Sequence, residues 1–146
     1  MSKKRIDRLV MLYDADSGAW GAVVDSARKM LMLKGCPLCS ITHGVAGEKT
    51  AWKSCRDEIG VPVDYLHRDE LRGEAARLDR EVGLPCVLAE SEGQLVPLLR
   101  PEVLDRCRGS VAEFRGKLHY HASAKELDLG TSPHPGLERL VQAARN

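Results

Sequence analysis

Two cysteines three residues apart are the sharpest chemical feature of the sequence. Cys36 and Cys39 enclose Pro37 and Leu38, and a proline-containing turn of this length can point both thiols the same way. Such a pair suits a vicinal dithiol, in which each thiol resolves a bond made by the other. The pair equally suits half of a tetrahedral zinc site. A third interpretation is that two structural cysteines simply pack beneath a loop.

A histidine and a further cysteine follow the pair at distances that suit metal ligation. His43 comes four residues after Cys39, and Cys55 or His67 supplies a fourth ligand if the following helix folds back. The sequence contains no second closely spaced pair of cysteines. We predict a site for zinc or a similar divalent metal at Cys36, Cys39, His43 and Cys55. The alternatives are a thiol–disulfide oxidoreductase that uses Cys36 and Cys39, and a protein-interaction module whose cysteines are structural.

A second group of polar residues follows the predicted strands. Asp16 comes after the first strand, and His67 and Asp69 come after the next one. Open α/β sheets bind ligands at the carboxyl ends of their strands, so these three side chains form a possible hard-ion or acid–base site. The alternative is structural: Asp16 caps a helix, Asp69 favours the positive end of the next helix, and His67 ends a strand.

Composition limits the classes of function. The 146 residues amount to one domain, and a net charge of +1 lacks the basic excess of a general nucleic-acid binder. Aromatic residues are 4% of the chain, too few for extended base-stacking platforms. The apolar runs are shorter than a membrane span, and the start does not resemble a secretory leader. We therefore expect a cytoplasmic protein without nucleic-acid or membrane partners. The chain has five cysteines, and an odd number of cysteines in a cytoplasmic protein argues against a structural disulfide framework.

The elements that must position these residues alternate between strand and helix. The apolar run that ends at Tyr13 predicts a buried strand, and the stripe from Trp20 to Leu31 predicts a helix. The segment 36–44 is interpreted as an irregular loop. The patterns that follow predict a helix over Glu48–Ile59, a strand over Val61–Leu66 and a helix carrying Leu71 to Val82. After these, a hairpin of Gly83–Ala89 and Gln94–Leu99 is predicted, and then two helices that begin at Pro101 and Ser110. We predict an α/β domain over residues 1–118, with helices on both faces of a mixed sheet, and a short helical C-terminal extension over 119–146.

This element order resembles the thioredoxin-like fold. The segment Gly83–Val87 is similar to the cis-proline loop that precedes the third strand of that family, and Gly93 matches the turn of its final hairpin. The resemblance covers residues 9–115 and implies a cis bond between Leu84 and Pro85. The family's Cys-x-x-Cys motif begins the helix after the first strand. Here the corresponding segment 14–20 contains no cysteine, so the resemblance does not carry the family's redox site to this chain.

Overall fold

A four-stranded mixed sheet forms the centre of the molecule. The computed structural model describes residues 3–17, 35–44 and 47–129, so the predicted helix that carries Trp20 lies outside the described residues. The described strands are β1 (Lys4–Arg5), β2 (Arg8–Tyr13), β3 (His43–Gly44), β4 (Gly47–Glu48), β5 (Val63–His67), β6 (Cys86–Ser91), β7 (Gln94–Leu99) and β8 (Leu127–Asp128). The described helices are α1 (Pro37–Thr42), α2 (Thr50–Ile59), α3 (Gly73–Val82), α4 (Pro101–Arg106) and α5 (Val111–Ala124), with a 3-10 turn over Arg68–Glu70.

The strand order in the main sheet is β5-β2-β6-β7. Strand β5 runs parallel to β2, whereas β6 is antiparallel to both β2 and β7. Two separate two-stranded sheets are formed by the parallel pair of β1 with β8 and by the antiparallel pair of β3 with β4. The predicted β6–β7 hairpin is present, and the Leu84–Pro85 bond is cis, as predicted.

Strand β2 is buried along nearly its whole length because helices cover both faces of the sheet. Leu9, Met11 and Tyr13 face a core shared with α1, α2, α4 and α5. Val10 and Leu12 face a second core, which α3 completes. The continuous apolar run of β2 is typical of a central strand buried on both sides. The predicted mixed α/β class is therefore confirmed, and none of the described helices is long and apolar enough to cross a bilayer.

The segment predicted as an irregular loop contains the short helix α1, so that local interpretation is wrong. Cys36 lies just before the helix in an extended conformation, and its Sγ accepts a hydrogen bond from the backbone N–H of Cys39. Pro37 occupies the first helical position, where a missing N–H leaves no hydrogen bond unmade. A sulfur atom thus takes the capping role that an oxygen usually has, which sequence rules for helix starts do not anticipate.

Helix α5 begins where the sequence predicts it and continues further along the chain. The hydroxyl of Ser110 accepts a hydrogen bond from the N–H of Glu113, which confirms the predicted cap. The predicted boundary between residues 118 and 119 falls inside this helix. Ala122, Leu127 and Leu129 are buried in the same core as Phe114, which extends that core to the end of the described chain.

Candidate thiol site and the adjoining cavity

Cys36 and Cys39 form a disulfide at the start of α1. Their Cα atoms are 5.2 Å apart, and both residues are fully buried. The local cause is the sequence itself, because Pro37 starts the helix directly after Cys36 and one helical turn brings Cys39 back beside it. The hydrogen bond from the Cys39 N–H to the Cys36 sulfur is 3.3 Å long.

Helix α1 is held in place by contacts in its second half. The backbone of Ser40 lies close to Gly109, and a Cβ added at Gly109 would lie 3.5 Å from the Ser40 carbonyl oxygen. Lys49 donates a hydrogen bond to the carbonyl of Gly109 over 2.9 Å, which ties the start of α2 to the same turn. At its end, Thr42 is fully buried, and its Oγ1 lies 2.9 Å from the Tyr13 hydroxyl oxygen. The disulfide therefore belongs to a helix that is fixed against the sheet.

Among the residues that the structure describes, the remaining predicted zinc ligands, His43 and Cys55, do not form a metal-binding group with the pair. His43 follows α1 directly, its N–H donates to the Cys39 carbonyl, and its Nδ1 lies 2.6 Å from Thr42 Oγ1. Cys55 is a buried free cysteine on α2, and burial raises the pKa of its thiol. Across residues 3–17, 35–44 and 47–129, no three histidine, cysteine or acidic side chains form a group that could hold a metal ion.

A cavity of about 150 Å³ lies where β2 and β5 end. Its lining is formed by Tyr13, His43, Glu48, Tyr65 and His67. Because Tyr13 pairs with His67 in the parallel register, their rings stack with centroids 5.5 Å apart, and Tyr13 also stacks on Tyr65 at 6.0 Å. The His43 ring stands edge-on to Tyr13 at 6.1 Å. Burial raises the pKa of the Tyr13 hydroxyl far above its usual value, so this hydroxyl stays protonated and neutral.

The outer wall of the cavity is a charged network. Arg56 donates one hydrogen bond to Glu48 over 2.9 Å and another to the Tyr65 hydroxyl over 3.2 Å. The Trp52 indole N–H donates to the same hydroxyl over 3.1 Å. Hydrogen bonding to Tyr65 is the main reason that the pKa of Arg56 is raised. The β3–β4 hairpin, in which His43 is directly opposite Glu48, brings this network to the end of α1.

In the second predicted site, Asp16, His67 and Asp69 form hydrogen bonds or ion pairs with neighbouring residues of the chain. Asp16 accepts a hydrogen bond from Arg68 over 3.2 Å, and Asp69 accepts bonds from the Ser17 backbone N–H and hydroxyl at 2.8 and 2.5 Å. These bonds from Ser17 hold the pKa of Asp69 below its usual value. His67 Nδ1 lies 2.5 Å from the Glu70 carboxylate. The strand ends do meet, as predicted, but the two aspartates bind Arg68 and Ser17, which join the two loops.

The three cysteines outside the pair are isolated in the core. Burial raises the pKa of the Cys86 thiol to about 12 and also raises the pKa of Cys107. Cys86 lies on β6, where its side chain belongs to the core completed by α3. Thiolate is the reactive form of cysteine, so these surroundings disfavour reaction at neutral pH.

Sequence reasoning did not identify Tyr13, Thr42, Glu48 and Tyr65 as members of one cluster. The signal that was present is the parallel register of β2 and β5, which places alternate residues of neighbouring strands on one face. Comparisons of the chain with protein-family models, with curated proteins and with solved structures find no match. The assignment of function therefore rests on the geometry of the described residues.

Proposed function

We propose that this protein is a thioredoxin-like thiol–disulfide protein in which Cys36 and Cys39 alternate between a disulfide and a dithiol. The observation that carries the proposal is the Cys36–Cys39 disulfide at the start of α1, with one sulfur accepting a backbone hydrogen bond. The two cysteines are three residues apart, so the ring that the disulfide closes spans one helical turn. This use of the pair is favoured over the zinc site because the two sulfurs already bond to each other.

The architecture supports the thioredoxin-like part of the proposal. A first strand, β2, lies beside the parallel strand β5 and is followed in the sheet by the antiparallel hairpin of β6 and β7. Helix α4 follows that hairpin, in agreement with the element order on which the resemblance rests. The cysteine pair still lies outside the family's usual position after the first strand, so its chemistry is argued from its own surroundings.

The proposed reaction requires two reducing thiols from a small thiol or a dithiol protein. Cys36 and Cys39 are both fully buried, so the proposed reaction requires the start of α1 to open to solvent. The first thiolate then attacks one sulfur of the Cys36–Cys39 bond, forms a mixed disulfide and releases the other cysteine as a thiolate. The hydrogen bond to Cys36 makes that sulfur the better leaving group, so the mixed disulfide forms at Cys39. The second thiol attacks the mixed disulfide. The products are the reduced Cys36–Cys39 pair and an oxidised donor disulfide, and two protons and two electrons pass to the protein.

A redox titration tests the proposal directly. The protein is equilibrated in buffers with different ratios of reduced to oxidised dithiothreitol, quenched in acid, denatured and alkylated, and its mass is measured. The oxidised chain exposes three alkylatable thiols, because Cys55, Cys86 and Cys107 are free, and the reduced chain exposes all five. We expect a single step of two alkyl groups with the same midpoint from either direction, and peptide mapping should place both groups on Cys36 and Cys39. Five alkyl groups at every ratio would refute the proposal.

A further inference from the structure

A groove of about 490 Å³ lies between α4 and α5, and neither cysteine of the redox pair lines it. Pockets that bind small molecules commonly have volumes of 300 to 1,000 Å³, so the groove is large enough for a ligand. Its wall on α5 contains Glu113, Gly116, Lys117 and Tyr120, which recur at helical spacing on one face. The opposite face of α5 is buried in the main core. The face of this helix that lines the groove is therefore the one that does not pack in the core.

The groove contains an excess of positive charge. Arg106 of α4 and Lys117 of α5 both line it. Within the described part of the chain, Arg106 has no carboxylate within ion-pair distance, and Lys117 has one long contact, 3.8 Å, to Glu113. Two cations against one carboxylate leave a net positive lining, and the planar guanidinium of Arg106 suits paired hydrogen bonds to a phosphate or carboxylate.

An aromatic ring stands beside these cations. Tyr120 is 69% exposed and is the one large hydrophobic side chain that is exposed among the described residues. Its ring contacts the edge of His121, with centroids 5.2 Å apart and planes at 87°, which limits the orientations of the tyrosine. An exposed, oriented tyrosine offers a planar ring a stacking surface, and stacking of bases on aromatic side chains stabilises such complexes.

A glycine keeps the groove open. Gly116 is in the interior of α5, where glycine is unfavourable to the helix, yet a Cβ built on it would meet nothing within 4 Å. The residue therefore removes side-chain volume at the centre of the groove without any packing reason within the described structure. We infer that this groove binds a small anionic ligand that carries a planar ring, of the kind represented by a nucleoside monophosphate. This inference goes beyond the proposed redox function and does not depend on it.

Adenosine monophosphate is the probe for the test, with adenosine and inorganic phosphate as part-ligands, and isothermal titration calorimetry on the full chain measures affinity. We expect the monophosphate to bind at one site and at least tenfold more tightly than either part alone. Arg106→Gln should weaken binding about tenfold, and Tyr120→Ala should weaken it by a similar factor. Arg80→Gln is the matched control, because Arg80 is an exposed arginine on α3, on the other face of the sheet, and it should leave affinity unchanged.

Gly116→Leu separates loss of binding from loss of folding. Leucine favours the helix, so the thermal midpoint should rise, while the added side chain fills the groove and abolishes binding. Three results would overturn the inference: no binding of the monophosphate by the wild type, equal weakening by Arg106→Gln and Arg80→Gln, or tight binding by Gly116→Leu. Inorganic phosphate that binds as tightly as the monophosphate would also overturn it, because the ring then contributes nothing.

Discussion

The cysteines at the start of α1 and the cysteine on β6 share a residue type and almost complete burial, yet they have different chemistry. Cys36 and Cys39 are 0% exposed and Cys86 is 1% exposed. Each sulfur of the pair has a covalent partner, and Cys36 also accepts a backbone N–H. Cys86 is a free cysteine, its thiol donates a hydrogen bond to the Val87 carbonyl, and burial raises its pKa to about 12. Burial alone therefore does not decide the state of a cysteine in this fold, because the neighbouring groups also differ.

The largest expected effect comes from removing one member of the pair. Cys36→Ala should abolish the two-thiol step in the redox titration completely, because it removes the cysteine to which Cys39 is bonded. Cys86→Ala should keep the full step, since Cys86 is a free cysteine on a different element. Mass counting after denaturing alkylation distinguishes the variants. A surviving two-group step in Cys36→Ala would show that another cysteine forms the disulfide.

The zinc prediction sharpens the same comparison, because a metal would compete with the disulfide for Cys36 and Cys39. Protein purified under reducing conditions without chelator should contain about one zinc per chain if the predicted ligands bind it. Cys36→Ser should then release the metal, and alkylation of the pair should accelerate on addition of chelator. Elemental analysis provides the measurement. Reduced wild-type protein without metal would contradict the zinc site and leave the redox and structural interpretations of the pair.

The fold was largely predictable because its signals are local and repeated. The apolar run of β2, the proline at the start of α4 and the Ser110 cap each depend on a few neighbouring residues. Hydrophobic pattern and capping chemistry report such features directly. The irregular-loop interpretation of α1 failed because the cap there is a sulfur, which no capping rule includes.

The candidate site was predictable only in part, because its members are distant in sequence. The spacing of Cys36 and Cys39 suggested paired thiols, and the disulfide fits that suggestion. The Tyr13–Thr42 contact joins residues 29 positions apart, and no local pattern announces such a pair. The expected pairing of the two strands suggested that Asp16 and Asp69 lie near each other. The ion pair between Arg68 and Asp16 could not be predicted, because it depends on three-dimensional contacts.

The buried polar contact at the end of α1 is expected to stabilise the fold by a measurable amount. Thr42→Val removes a fully buried hydroxyl that contacts Tyr13 over 2.9 Å and His43 over 2.6 Å. Loss of one partner from a buried hydrogen bond costs about 1–3 kcal/mol, so we expect the free energy of unfolding to fall by about 2 kcal/mol. Urea denaturation of Thr42→Val, Tyr13→Phe and the double variant gives the coupling energy. Strictly additive single effects would contradict a direct bond between the two side chains.

A smaller effect, confined to alkaline pH, tests the isolated thiol. The pKa of Cys86 is about 12 in the folded protein against an ordinary value of 9.0, so between these values the unfolded chain binds fewer protons than the folded one. Stability from the neutral buried thiol is therefore fully present below pH 9 and is lost as pH rises. At pH 10 the loss is about 1 kcal/mol relative to neutral pH.

Cys86→Ala should remove this alkaline loss while lowering stability at every pH through the lost sulfur contacts. Val87→Ala is the matched control, because it also truncates a fully buried side chain on β6 but carries no titrating group. Urea denaturation at pH 7, 9 and 10 should give a shallower alkaline slope for Cys86→Ala than for wild type, with the wild-type slope retained in Val87→Ala. Parallel curves for all three proteins would mean that Cys86 titrates near its ordinary pKa. The contrast between the isolated thiol and the pair would then rest on the covalent bond alone.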